Sequence, residues 1–212
     1  LPQILTDKTI LGVGTIENQG WENYIQVPDA LYLLAFLCRK YIQLFDIYKI
    51  ALTGSTGKSS TKEMLAQVLN TSSPTLKTQA NENNMIGLCK TIPRIRPEHR
   101  FGVFELGTNA FGEIAALADI CNPDAAIIIN IGPSHLEKLI DEDGVFREKT
   151  ALFNRPLEIR LFDGDDPRFS IYADKGKSVG FSDNSDFHIT DLECNDTFCH
   201  FKINGESYTI PY

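Results

Sequence analysis

Tyr48-Lys49-Ile50-Ala51-Leu52 runs without a break into Thr53-Gly54-Ser55-Thr56-Gly57-Lys58-Ser59-Ser60. A short apolar run that stops at two closely spaced glycines and opens onto a helical pattern reads as strand, tight turn and helix. Gly54 and Gly57 let the turn close so that successive N–H groups converge on one point. The helix that follows adds its own unpaired first-turn donors and the positive end of its dipole. Such a concavity suits phosphate. Lys58 would reach the terminal phosphates, and the Ser59 hydroxyl would face a magnesium ion. The full eight-residue phosphate-loop pattern needs a further glycine where Leu52 stands, so only Gly54-x-x-Gly57-Lys58-Ser59 is present.

Working outward, Pro28 to Phe45 reads as a helix with Leu31, Leu34, Ala35 and Cys38 on its inner face, and Asp29 is placed to start it. The helix after the loop carries Met64, Leu65, Val68 and Leu69 as its inner face. Phe101 to Leu106 and Ala125 to Ile131 are apolar nearly throughout, the pattern of parallel strands covered on both faces. A helix from about Gly112 to Ile120 lies between them, another spans about Gly144 to Phe153, and Leu157 to Phe162 is a further strand. The alternation predicts an α/β domain of phosphate-loop type: a mostly parallel sheet with flanking helices and right-handed crossovers. From Asp163 to Tyr212 the chain carries eight Asp and two Glu against three Lys and one Arg. There Phe187 to Leu192, Thr197 to Ile203 and Ser207 to Ile210 read as strands, with Asn204-Gly205 as a hairpin turn. A small antiparallel annex is therefore expected at the C-terminal end. Residues 1–27 read as irregular, with short apolar pieces at Ile10 to Val13 and Tyr24 to Val27.

Composition narrows the function classes. The chain has 212 residues, 42% hydrophobic and 23% charged, and a net charge of -8, which disfavours nucleic acid and anionic membrane as partners. No apolar run approaches a membrane span, and no membrane insertion is expected. The start, Leu1-Pro2-Gln3-Ile4, lacks a basic segment and an initiator Met, so it reads as the interior of a longer product and not as a signal peptide. Five cysteines, Cys38, Cys89, Cys121, Cys194 and Cys199, are too few and too scattered for a disulfide framework. Most are expected as buried thiols in a cytoplasmic protein, with Cys194 and Cys199 sharing a hairpin. A structural metal is not expected. Gly12-Val13-Gly14 imitates a dinucleotide fingerprint, but Glu17 stands where its third glycine belongs, which argues against a redox dinucleotide protein.

Other polar residues fall at strand ends, where open α/β sheets bind ligands. Glu105 ends one strand, and His135 follows the next. Both are acceptable magnesium ligands if phosphates and waters complete the shell; otherwise His135 is a loop residue capping the helix behind it. Asn81, Asn83 and Asn84 form an amide cluster whose simplest reading is a helix-capping turn. Asp163-Gly164-Asp165-Asp166-Pro167 reads as an acidic turn, and Lys149 as a solvated lysine.

These segments, in this order, resemble the central domain of the Mur ligases, ATP-dependent amide (carbon–nitrogen) ligases of peptidoglycan precursor synthesis and so of cell-wall biogenesis, cell shape and division. The matching stretches are Thr53 to Lys62, Asn81 to Gly87, Phe104 to Asn109, Asn130 to Glu137, Gly144 to Phe153 and Asp163 to Pro167. The resemblance implies that Gly54, Ser55, Thr56, Gly57, Lys58, Ser59 and Ser60 hold the ATP phosphates. It implies that Ser59 and Glu105 share one magnesium, and that Glu105 and His135 ligate a second. Lys149 matches a lysine that is carbamylated in many family members and then orients metal, so Lys58, His135 and Lys149 are the implied catalytic set. Asn84 matches a position near nucleotide and acceptor, and Asp163 and Asp166 match the nucleotide-side turn, with Asp163 in place of Asn. Ala80, Met85, Cys89 and Ser60 depart from the usual residues without removing a charge needed for phosphate or metal.

The asparagine cluster points, within the family, to joining of D-alanyl-D-alanine to UDP-N-acetylmuramoyl-tripeptide through an acyl phosphate. ATP and magnesium are the implied cofactors, and the UDP-linked muramoyl peptide and D-alanyl-D-alanine the implied substrates. Residues 1–27 would be a remnant of an N-terminal substrate domain or a linker, and 28–212 the central ATP-binding domain, with the C-terminal ligase domain absent. A monomer is expected. The alternatives are a non-catalytic nucleotide-binding module derived from such a ligase, or a ligase for another amino acid.

Overall fold

In the computed structural model, which describes residues 12–15, 17, 20 and 24–211, two short strands, β1 (Gly12–Gly14) and β2 (Tyr24–Gln26), pair in parallel. The apolar pieces expected to be irregular thus contain a strand each, while Ile10 and the Leu1-to-Ile4 start lie outside the described residues. Gly12-Val13-Gly14 is strand and opens no helix.

Helix α1 (Ala30–Ile42) begins at Asp29, whose carboxylate accepts the N–H groups of Leu31 and Tyr32 at 2.8 and 3.0 Å. Its buried side is Ala35, Cys38 and Ile42; Leu31 and Leu34 are exposed, against expectation. The first turn of α1 overhangs the edge of the core, and Leu31 lines a cavity instead. Strand β3 (Tyr48–Thr53) leads through the glycine turn to α2 (Lys58–Asn70). Here too the inner face is corrected. Lys62 and Ala66 are buried and Leu65 and Leu69 half-buried, while Met64 and Val68 face solvent. The small Ala66 allows α2 to approach Leu52 and Val103, and Lys62 is drawn inward by a buried carboxylate described below.

The chain continues through β4 (Thr75–Lys77), α3 (Met85–Thr91), β5 (Phe101–Glu105), α4 (Glu113–Cys121) and β6 (Ala125–Ile128). Then come α5 (Leu136–Leu139), α6 (Glu142–Thr150), β7 (Ile159–Asp163), β8 (Lys177–Gly180), β9 (Phe187–Cys194), β10 (Phe198–Ile203) and β11 (Glu206–Pro211). Single 3₁₀ turns at Ile92–Arg94 and Ala151–Phe153, and a longer one at Pro167–Tyr172, complete the elements. Nine strands form one sheet in the order β11-β10-β9-β8-β7-β6-β3-β5-β4. Pairing is parallel from β4 to β9, and antiparallel at β9–β10 and β10–β11.

This order places the site. From β3 the chain goes out to the edge at β4, returns to β5 beside β3, then crosses to β6 on the other side of β3. The sheet therefore reverses direction of winding at β3, and a crevice opens at the carboxyl ends of β3, β5 and β6. The main core lies beneath α1, α3 and α4, around fully buried Phe104, Leu88, Ile92, Ile114 and Ala118. A smaller one, Leu52, Ala66 and Val103, lies under α2.

The annex is antiparallel as expected, and Asn204 and Gly205, at φ 49° and 86°, are both left-handed as a two-residue hairpin turn demands. Cys194 and Cys199 are disulfide-bonded across β9 and β10, while Cys38, Cys89 and Cys121 are buried free thiols. Among the described residues, no helix is long and apolar enough to cross a membrane.

Candidate functional site

The turn after β3 is built as its glycines predict. Gly57 sits at φ 74°, a left-handed conformation that swings the chain into α2. No side chain caps that helix, so its first-turn N–H groups remain free for an anion. Lys58 folds back over the loop, donating from Nζ to the carbonyls of Gly54 at 2.8 Å and Ser55 at 3.3 Å. Burial holds the Lys58 amine below its ordinary range.

Glu105 closes β5 next to the loop and is buried. Its Oε2 accepts the Ser59 hydroxyl at 2.9 Å, and its Oε1 accepts Asn83 Nδ2 at 2.9 Å. The Lys62 ammonium lies 3.6 Å from the same Oε2 and donates to the Ala80 carbonyl at 3.3 Å. Burying a carboxylate is costly unless it is paired and hydrogen-bonded in this way. Asn83 reaches it because the chain presses against Gly107, whose N–H donates to the Asn83 carbonyl at 2.7 Å and where a Cβ would stand 2.8 Å from the Asn83 side chain. Asn84 has a different task. It caps α3, accepting the Gly87 N–H at 2.9 Å, as the simplest reading of the cluster expected.

Beside the loop opens a cavity of about 640 Å³. Lys58, Lys149, His135, Asn83 and Asn84 line its polar side, and Leu31, Met85, Ile86 and Phe111 its apolar side. Lys149 is buried, with Nζ 3.1 Å from the Gly54 carbonyl, so it is not the solvated lysine its neighbours in sequence suggest. Burial, reinforced by the Lys58 charge, pushes its amine down to about 8. The next residue back, Glu148, is buried too. It accepts the N–H groups of Gly112 at 2.7 Å and Ile114 at 2.8 Å and the Thr108 hydroxyl at 3.2 Å, capping α4 from a neighbouring helix.

His135 lies at the N-cap position of α5 in left-handed conformation, φ 54°, but its side chain does not cap. The residue lines the cavity. The segment ends at Ile140, an exposed β-branched residue at φ 75°.

Two expected contributors stand apart. Neither Asp163 nor Asp166 lines the cavity. Asp163 accepts the Asp165 N–H at 2.9 Å, and burial raises its carboxyl above the usual range. Asp166 is partly buried, but its bidentate pairing with Arg168 outweighs that cost and holds it below the usual range. Four residues that carry much of the geometry were not singled out from sequence: Lys62, Asn83 as the Glu105 partner, Asn130 and Glu148. All four lie in stretches that carried the family resemblance, but apart from the density of amides around Asn83 no residue pattern picked them out.

Among the described residues no three His, Cys, Asp or Glu gather into a metal-binding group. The hydroxyl of Ser59 on the carboxylate of Glu105 nevertheless offers two hard oxygens at the mouth of the phosphate loop. That donor set fits magnesium, which keeps waters and takes phosphate oxygens rather than an all-protein cage.

Comparison with known proteins shows the family. The Mur ligase middle domain model matches residues 52–212. The chain is 43% identical over 219 residues to the UDP-N-acetylmuramoyl-tripeptide--D-alanyl-D-alanine ligase of Escherichia coli, covering 99% of this chain and 42% of that protein. It is 35% identical over 192 residues to the enzyme of that name from Bacillus subtilis, covering 88% and 42%. Among solved structures, a MurF from Acinetobacter baumannii superposes with a TM-score of 0.84 at 29% identity, over 94% of this chain and 46% of that one. The chain thus spans less than half the length of the relatives it matches. A phosphate loop at the switch point, an acidic strand end beside it and a lysine-lined cavity, together with these matches, make the chain a member of the Mur ligase family.

Proposed function

We propose that the chain is the nucleotide-binding core of an ATP-dependent ligase that joins D-alanyl-D-alanine to UDP-N-acetylmuramoyl-tripeptide. Family membership implies use of ATP and magnesium; the named substrates are those of the relatives. The observation that carries the reading is the uncapped start of α2, with Lys58 over it, opening beside a cavity that also holds Lys149 and His135.

In this reading the tripeptide carboxylate oxygen attacks the γ-phosphorus of ATP, and ADP leaves. The amine of the dipeptide then attacks the acyl carbon; phosphate leaves, the nitrogen loses a proton, and an amide remains. The N–H groups of Lys58 to Ser60 at the uncapped start of α2 orient the phosphates, and Lys58 swings from the Gly54 carbonyl to the transferring phosphoryl oxygens. Ser59 and Glu105 would hold magnesium, with His135 on the cavity side. When bound, the ion neutralises charge on the phosphate oxygens. Lys62 and Asn83 hold the Glu105 carboxylate in place beside Ser59. Lys149 is set to become a carbamate: its uncharged amine adds to the carbon of carbon dioxide and loses a proton, turning a buried cation into an anion near His135. Asn84 supports the acceptor side through α3. The support for Asp163 and Asp166 is the family resemblance alone.

Titration calorimetry with magnesium and ATP tests the core of this. Saturable binding is expected, weakened about 30-fold or more in Lys58→Ala with an unchanged melting temperature. Equal affinity in the variant would refute the loop assignment. A ¹³C-bicarbonate carbonyl resonance absent in Lys149→Met tests the carbamate.

A further inference from the structure

Asn130, at the end of β6, spends its whole side chain on the phosphate loop. Its Oδ1 accepts the N–H groups of Ser55 and Thr56, both at 3.0 Å. Its Nδ2 donates to the Thr56 carbonyl at 3.3 Å and lies 3.1 Å from the Thr56 hydroxyl. Its main-chain carbonyl accepts the Ser55 N–H as well, at 3.1 Å. The return contact comes from Ser55, whose hydroxyl bridges the Gly132 carbonyl and N–H, each at 2.9 Å, and meets the Ser134 hydroxyl at 3.2 Å. The next residue is His135.

Eight contacts therefore join two loops about 75 residues apart in sequence. They are not needed to close the sheet, because β3 and β6 are already paired from Ile50 to Thr53. They leave the first-turn donors of α2 untouched, since no side chain caps that helix. Their effect is geometric. Fixing Ser55 and Thr56 in place fixes the turn in front of Gly57. Any shift of that turn on taking up phosphate is passed through Ser55 to Gly132 and Ser134, and so to the backbone of His135.

We propose that Asn130 is a positioning residue that locks the phosphate loop to the His135 loop as one body, so that nucleotide in the loop sets the orientation of the imidazole in the cavity. The proposal rests on the reading of the loop as an ATP phosphate site. It adds that the two halves of the site are mechanically joined before any second substrate or metal arrives.

The test uses the chain as it stands, with ATP in EDTA so that no metal reports directly on the imidazole. Calorimetry gives affinity, and ¹⁵N–¹H correlation of the histidine rings gives the His135 response, assigned with His135→Gln. In the unmodified chain ATP binds and the His135 resonances move at saturation. Asn130→Ala is expected to weaken ATP about tenfold and to lose more than half of the saturated His135 shift. Ser134→Ala, which keeps Asn130, is expected to bind within about twofold of the unmodified chain and still show a reduced shift. A lower melting temperature in both variants, with affinity and shift unchanged, would mean a purely structural strap and overturn the proposal. Tighter binding by Asn130→Ala would mean that the amide obstructs phosphate, and would overturn it too. Binding by the unmodified chain without any movement of His135 refutes the coupling alone, whereas no binding at all refutes the loop reading with it.

Discussion

The two ends of the nine-stranded sheet are held together by different physics. At β3, β5 and β6 the strands are covered on both faces, and ionic groups are buried among them: Lys62, Glu105, Glu148 and Lys149. At β9, β10 and β11 the strands are open, with Phe187, Leu192, Phe198 and Tyr208 exposed and only Cys199 buried. The first region is stabilised by apolar burial and must compensate every charge it hides. The second is stabilised by ladder hydrogen bonds, a two-residue turn, a disulfide and surface ion pairs such as Lys202–Asp191. Buried charges belong where chemistry is proposed; the annex carries its many acidic groups in water.

The sharpest way to break the comparison is a matched pair of truncations. Phe104→Ala removes a fully buried ring from the main core and is expected to cost about 3–5 kcal/mol in urea unfolding. Phe198→Ala, in the annex, is expected to cost about 1 kcal/mol or less. Equal losses would mean that the annex is packed as tightly as the core.

A middle-sized effect concerns the buried cation. The Lys149 amine titrates near 8 in the folded protein, below its unfolded value, so folding expels a proton between those two pH values. The folded state therefore bears the cost of a buried charge below pH 8, and that cost fades as pH rises towards 10. Lys149→Met is expected to be more stable than the unmodified chain by about 1–2 kcal/mol at pH 7, with the gap closing by pH 10. Denaturant melts of both proteins across that range read it directly. A gap that does not change with pH would place the lysine in water.

The smallest effect lies between the two regions. Ile140, at φ 75° and ψ -61°, combines a branched side chain with the strained positive-φ backbone of a γ-turn. Ile140→Gly is expected to raise stability by up to about 1 kcal/mol, because relief of steric strain exceeds the added entropy of the unfolded chain. A lower melting temperature would show that the exposed isoleucine makes a contact worth more than its strain.

Much of the fold was legible in sequence because it depends on local pattern. The 48–60 unit, the buried strands at 101 and 125 and the Asn204-Gly205 hairpin need only neighbours to be read. The short strands β4 and β8 were not read, since three or four residues carry too little periodicity, and of α3 only the capped start was expected. Helix faces were mistaken where a polar side chain was drawn inward. Nothing near Lys62 in sequence announces Glu105, and nothing near Glu148 announces the 108–114 turn that it caps. Lys149 was reached only through the resemblance, for its burial depends on the Gly54 carbonyl 95 residues away. Residues that answer to distant partners are invisible to local pattern, and this site is made largely of them.

The central place of β3 also has a consequence for synthesis. Its two neighbours, β5 and β6, both come later in the chain, and the amide that shapes its glycine turn lies 75 residues downstream. As the polypeptide leaves the ribosome, residues 48–60 emerge long before anything can pair with them or define their curve. The nascent loop is thus a glycine-rich segment without a shape until residue 130 has cleared the exit tunnel, and nucleotide has nothing to grip before then. Parallel pairing across such separations is slow to close. The apolar strand that bears the most important turn of the molecule waits longest in the open, which makes it the segment on which a chaperone would act.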